Sequence, residues 1–206
     1  SLHNLKFQYN NNKKIIYEDY EFTRGLPTAI IGKSGSGKTT LVELILKLLK
    51  PIEGQIKLNN TDIKNLDTEW YYQNVSYLAQ SPFLFSGSIY ENIIFGNKNT
   101  INMQEVYENG KILGLQEEFG SNFLDYQISD FGRNISGGQA QRCSLLKIIS
   151  NIKPIVIIDE PSSALDRKTT NIFNELLFSK TKDSILIVIT HSNSQSNLFP
   201  SKLNLT

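Results

Sequence analysis

The spacing of apolar and polar residues changes several times along this chain, and each change predicts an element. The opening, "LHNLKFQYNNNKKIIYEDYEF", alternates around a turn at residues 10–13 and predicts a β-hairpin. "TAIIG" (28–32) is a short apolar run between Pro27 and a glycine-rich loop, the pattern of a buried strand. Residues 38–49 then take a helical period, with Leu41, Leu44, Ile45 and Leu48 on one face and Pro51 and Gly54 as the stop. "GQIKLNN" and "VSYLA" predict further strands. Stretches 88–94, 103–113 and 116–119 predict helices with no strand pattern between them. Residues 81–132 therefore read as a helical subdomain inserted into an α/β core formed by 1–80 and 133–206. Stretch 139–149 is a further helix. "PIVIID" and "SILIVIT" are almost continuously apolar, which suits a parallel sheet covered on both faces, and a helix over 168–178 joins them.

Composition narrows the picture little. The chain has 206 residues, enough for one large domain, and it is 39% hydrophobic and 20% charged, as folded proteins usually are. A net charge of +1 points neither to nucleic acid nor to an anionic membrane surface. A single cysteine, Cys143, excludes an internal disulfide and favours an intracellular setting. The apolar runs fall far short of the about 20 residues that a membrane helix needs, and no signal peptide is expected from the N-terminal pattern. No internal repeat or long linker is visible, and the asparagine-rich "NNNKK" and "GNKNT" read as polar loops.

Chemistry enters with "GKSGSGKTT", residues 32–40. It fits G-x-x-x-x-G-K-[ST], follows a strand and opens a helix. Glycines let the backbone wrap a phosphate with its N–H groups turned inward, and the helix start adds positive potential. Ser34, Gly35, Ser36, Gly37, Lys38, Thr39 and Thr40 become candidate nucleotide contacts, with Lys38 on the terminal phosphates and Thr39 on Mg²⁺. The second feature is "IVIIDE", a strand that delivers Asp159 and Glu160 at its C-terminal end, where open α/β sheets bind ligands. Asp159 would hold Mg²⁺ and Glu160 would orient or deprotonate a water. The third is "NISGGQAQR" (134–142), where Ser136, Gly137 and Gly138 sit directly before a helix. That start is a second anion site, and the first helix already serves one nucleotide.

Taken in order, "GKSGSGKTT", "ISGGQAQR" and "IVIIDEPSSALD" resemble the phosphate loop, the signature motif and the magnesium strand of ABC-type ATPases. The resemblance covers essentially the whole chain. It implies an α/β fold: a P-loop NTPase core with a mostly parallel sheet, an N-terminal antiparallel β subdomain and an inserted helical subdomain. It also implies ATP and Mg²⁺ as ligands, and head-to-tail pairing with a second nucleotide-binding domain, most simply an identical one. Each ATP would lie between one phosphate loop and the partner's Ser136, Gly137, Gly138 and Gln139. Further positions follow from the resemblance alone. Tyr9 would stack on adenine, Gln80 would reach Mg²⁺ and the water, and "SALD" (163–166) would bring Asp166 near the facing site. His191 would contact the γ-phosphate.

"SPFLFSGSIYENIIFG", from Ser81 to Gly96, is similar to the segment through which exporter-type members touch their membrane domain. Asp130 lies where those exporters often carry a glutamate. These features imply the motor of an exporter of peptide, lipid or drug-like cargo, at the cytoplasmic face of the cell membrane, attached to a membrane domain absent from this chain. The motif departs from the family pattern at Ile135, for leucine, and at Lys147, near the expected arginine. The close "NLFPSKLNLT" omits the usual glycine-turn hairpin and reads as a short or truncated C-terminus. Two rival readings explain less. A DNA-maintenance ATPase would insert a long coiled coil, whereas this insert shows no sustained heptads. A GTPase would want N-K-x-D, and "NKNT" lacks the aspartate.

Overall fold

The computed structural model describes residues 1–10, 14–81, 83–96, 101–161, 165–191 and 193–205. Its elements are β1 (Leu2–Phe7), β2 (Ile15–Ile16), β3 (Thr28–Gly32), α1 (Lys38–Ile45), β4 (Glu53–Leu58), β5 (Thr61–Asp62), α2 (Thr68–Gln73) and β6 (Val75–Leu78). They continue with β7 (Gly87–Ser88), α3 (Ile89–Ile94), α4 (Met103–Ile112), α5 (Leu115–Phe119), β8 (Gln127–Ile128) and α6 (Gly137–Ser150). The last are β9 (Ile155–Asp159), α7 (Arg167–Lys180), β10 (Ile185–Ile189), α8 (Asn193–Ser196) and β11 (Ser201–Leu205).

Five strands form a parallel sheet in the order β11-β3-β10-β9-β6. β2, β1, β4 and β5 form an antiparallel sheet in that order, so the fold is the expected α/β class. All five residues of β9 are buried, which is why its run is apolar up to the final Asp159. Successive side chains leave a strand on opposite faces. Val156 and Ile158 join Leu145 and Leu146 of α6, Ile89 of α3 and Val106 of α4 in one core layer. Ile155 and Ile157 join Leu41 and Leu44 of α1 and Leu2 and Leu5 of β1 in the other.

Residues 81–132 contain α3, α4 and α5, with their starts fixed locally. Ser88 accepts from Glu91 N at 3.0 Å while Glu91 accepts from Ser88 N at 2.6 Å, a reciprocal cap on α3. Asn102 caps α4. Their apolar faces share one core layer with α6 and β9, and α6 packs on α3, α4 and α5 as well as on β6.

Two local expectations are corrected, and two elements appear that the sequence reading did not name. α1 ends at Ile45 rather than at residue 49, because Lys47 turns left-handed at φ 60° and its ammonium bonds the Leu66 carbonyl at 3.0 Å. The 81–132 stretch is not free of strand, since β7 pairs antiparallel with β8. Helix α2 has no counterpart in the sequence reading; Asp67 caps it, and Tyr71 anchors it by donating to the Ile45 carbonyl at 2.8 Å. The C-terminal stretch is a strand: β11 lies along β3 from Ser201 opposite Thr28 to Leu205 opposite Gly32. The hairpin turn at 11–13, the "NKNT" string and Ser163 and Ala164 of "SALD" lie outside the described residues.

Candidate active site

The C-terminal ends of β3, β6, β9 and β10 open onto one cleft of about 440 Å³. Tyr9, Ser34, Gly35, Gly37, Lys38, Thr39, Thr40, Gln80, Asp159, Glu160 and His191 line it, together with Ile15 and Ile189. The phosphate loop, Gln80, Asp159, Glu160 and His191 meet there because the parallel strands all end on the same edge, and Tyr9 joins them from the antiparallel sheet.

The loop between β3 and α1 needs its glycines. Gly37 sits at φ 93°, directly before α1. A Cβ on Gly32 would come within 2.4 Å of Ser36 Oγ and 2.5 Å of the Leu205 carbonyl, so β11 closes that side. Ser36 therefore turns inward, and it is the one phosphate-loop candidate from residues 34–40 that does not line the cleft. Lys38 is buried, and its Nζ donates to the Gly32 and Lys33 carbonyls at 2.8 Å each. Burial holds its pKa below the usual lysine value, against the pull of Asp159 and Glu160. A shielded ammonium whose bonded acceptors are neutral carbonyls, beside a helix start, fits an anionic phosphate.

Asp159 is buried, and its pKa is raised first by that burial and then by the neighbouring Glu160 charge. Two carboxylates side by side near the exposed Thr39 suit a divalent cation, whose charge would relieve their repulsion.

Glu160 is the centre of the hydrogen-bond network. Gln80 Nε2 donates to its Oε2 at 2.9 Å, and His191 Nε2 lies 2.8 Å from its Oε1. Its backbone is left-handed at φ 53°, a conformation that costs a non-glycine residue on the order of 1–3 kcal/mol. Glu160 N donates to the Ile189 carbonyl at 3.0 Å, and the Glu160 carbonyl accepts from Gln141 Nε2 at 2.8 Å. Gln141 escaped the sequence reading. Its signal was there: a polar amide on the side of α6 that also carries the buried Ser144, Leu145 and Ile148.

Tyr9 is half exposed, its ring edge-to-face with Phe7 at 4.6 Å, and its hydroxyl donates to Glu43 at 3.0 Å. Tyr17 also escaped the sequence reading; its hydroxyl donates to the Gly37 carbonyl at 3.0 Å and braces the phosphate loop from outside.

Ser136, Gly137, Gly138, Gln139 and Asp166 are not in this cleft. Ser136 caps α6, accepting from Gln139 N at 3.1 Å while Gln139 Oε1 accepts from Ser136 N at 2.9 Å. Gln139 is held in turn by Glu118 at 2.5 Å. Ser136 and Gly137 are exposed, and a Cβ added to Gly137 would meet nothing within 4 Å beyond its own turn. Asp166 caps α7, accepting from Lys168 N at 2.9 Å and Thr169 N at 3.0 Å.

The family model described as "ABC transporter" matches residues 19–163, most of the chain. The chain belongs to the ABC transporter family. Family membership carries nucleotide binding and, in general, ATPase activity. An ABC transporter B family member 13 of Arabidopsis thaliana is 30% identical over 191 residues, covering 91% of this chain and 15% of that protein. An ATP-dependent lipid A-core flippase of Francisella tularensis subsp. holarctica (strain OSU18) is 32% identical over 193 residues, covering 93% of this chain and 32% of that protein. Among solved structures, a bacterial Atm1-family ABC exporter with ATP bound superposes with a TM-score of 0.89 at 25% identity. That match covers 100% of this chain and 36% of the exporter. This ABC chain thus spans about a third or less of the length of these relatives.

Proposed function

We propose that this chain is the ATP-hydrolysing motor of a membrane exporter, working head to tail with a second copy at the cytoplasmic face. One observation carries the reading: the residues for binding and cleaving a nucleotide share one cleft, while the second anion site, at Ser136, stands outside it and exposed. A chain with both halves of a site, unable to use them together, calls for a partner.

ATP would lie with its adenine on Tyr9 and its phosphates in the loop from Ser34 to Thr40. Mg²⁺, held by Thr39, Asp159 and Gln80, would neutralise phosphate charge. Lys38 exchanges its two loop carbonyls for phosphate oxygens. Gln80 and His191 each hold one Glu160 oxygen, and each oxygen keeps a further lone pair with which this base can take up a water. His191 then turns toward the γ-phosphate, and with Lys38 and the partner's signature serine it stabilises charge on the transferred group. Losing that phosphate removes the anion that both copies share, and the pair opens.

The membrane domain would dock on the face from Ser81 to Gly96. A groove of about 490 Å³ there is lined by Phe83, Phe95, Lys147 and Lys153 among others. Phe83 stacks on Phe131 at 5.8 Å with both rings largely exposed, and Phe131 is held out by left-handed backbone at φ 56°. Exposed aromatic pairs of this kind mark interfaces. No helix among the described residues is long and apolar enough to cross a membrane, so another segment would do so. The chain shows no coiled coil between α1 and α6, which leaves the DNA-maintenance alternative unsupported among the described residues.

The test is the solution mass of Glu160→Gln, measured by light scattering with and without Mg-ATP. A shift from monomer to dimer only with ATP is the expected result. A variant that binds ATP and stays monomeric at high concentration would end the self-pairing reading.

A further inference from the structure

Glu160 is held on four sides, and one of the four is unexpected. Its carboxylate is met by Gln80 and His191, and its amide nitrogen is tied to β10 through Ile189. Its carbonyl, however, is tied to α6, by a side chain that is only 3% exposed. A non-glycine residue at φ 53° relaxes readily to an extended conformation unless its flanking peptides are pinned. Relaxation would rotate the peptide and carry the carboxylate away from the cleft.

We propose that Gln141 is a positioning residue for Glu160, and that it ties the helix bearing this chain's signature to the base of this chain's own site. The inference rests on the proposed function above. Gln141 follows Ser136 by five residues, which places it about 7.5 Å along the helix axis. α6 is a continuous helix of 14 residues, so a tilt at its exposed start is transmitted to Gln141 as rigid motion. The Gln141 amide fixes the Glu160 peptide at 2.8 Å, and any such tilt shifts the base. Capture of a partner's phosphate at Ser136 thereby adjusts the base that serves the chain's own nucleotide. The two composite sites of the pair are coupled inside each chain, through one hydrogen bond.

The experiment replaces Gln141 with Met, which keeps the length and loses the donor, and with Glu, which keeps the shape and sets a carboxylate against the carbonyl. Steady-state hydrolysis, affinity for a fluorescent ATP analogue, ATP-dependent dimer mass and Tm are measured beside wild type. The expected result is a kcat lower by roughly 10- to 100-fold, as for a misplaced catalytic group, with KM, analogue affinity and dimer mass retained. The Glu variant is hit at least as hard as the Met variant. A folded variant with kcat within about twofold of wild type overturns the inference. So does a parallel loss of kcat, affinity and Tm in both variants, which is what a merely structural residue produces. Wild type serves as the control on the reading beneath: if it neither binds nor hydrolyses ATP, the site assignment falls and takes the coupling with it.

Discussion

The two ends of the nucleotide machinery differ in how their polar groups are satisfied. In the cleft, Lys38 bonds its own loop, and Gln80, Glu160 and His191 bond one another. At the signature, the Ser136–Gln139 cap closes on itself and leaves the start of α6 facing open space. The cleft is assembled from distant parts of one chain, so it can be complete in a monomer. The signature is assembled from neighbours in sequence, and under the proposed function its use depends on a partner's nucleotide. A network tied between separate strands resists change, whereas a cap made of sequence neighbours on an exposed helix start tolerates it.

The hardest blow to the cleft is Lys38→Ala. Hydrolysis should fall by about 10²–10³-fold or more, the scale of losing one charge-stabilising donor. Phosphate release near the wild-type rate would remove Lys38 from the site. At the signature, Gly137→Asp should separate folding from function. The added side chain has room, and an acid in the first turn favours a helix by about 0.3–1 kcal/mol. Tm should therefore hold or rise, while ATP-dependent dimer mass disappears because the carboxylate repels a phosphate. Retained dimerisation would mean that α6 does not meet the partner's nucleotide.

A smaller effect probes the body of the same helix. Cys143, seven residues beyond Ser136, is 2% exposed, and burial pushes its thiol up to about 12. A thiol-specific reagent at pH 8 should label it only as the chain unfolds. Fast labelling of native protein would show that α6 is loose along its whole length, and the contrast between its open start and fixed body would vanish. The smallest effect belongs to Glu53, which lines neither end. Lys14 and Lys6, each at 2.6 Å, hold its carboxyl down at about 2 from an ordinary 4.5. The folded chain binds this proton more weakly than the unfolded one. The pair's contribution is thus full above pH 4.5 and lost as pH falls toward 2. Glu53→Gln should lower Tm slightly at pH 7 and not at pH 2; an equal shift at both would assign the effect to packing. Because neither Glu53 nor its two lysines line the cleft, hydrolysis should be untouched.

Much of this molecule was legible in the order of its residues. Short-range rules located β3, β9 and β10 within about a residue, because a strand covered on both faces is apolar through most of its length. The glycine pattern marked the phosphate loop, because close backbone approach leaves few residue choices. The serine and glycines of "ISGGQ" marked the start of α6 to within two residues, at Gly137 rather than Gln139. The resemblance then nominated Tyr9, Gln80 and His191, whose arrival in the cleft no local pattern could announce. What only the tertiary structure decided was long-range. β11 became a strand because β3 had an open edge beside Gly32. Ser36 turned inward under that strand. α1 stopped early because Lys47 found the Leu66 carbonyl. Gln141 met Glu160 across 19 positions of chain. Except at Ser36, a polar group or a strand edge was satisfied by a partner distant in sequence. Local spacing reports which groups need partners; packing alone determines which partners they find.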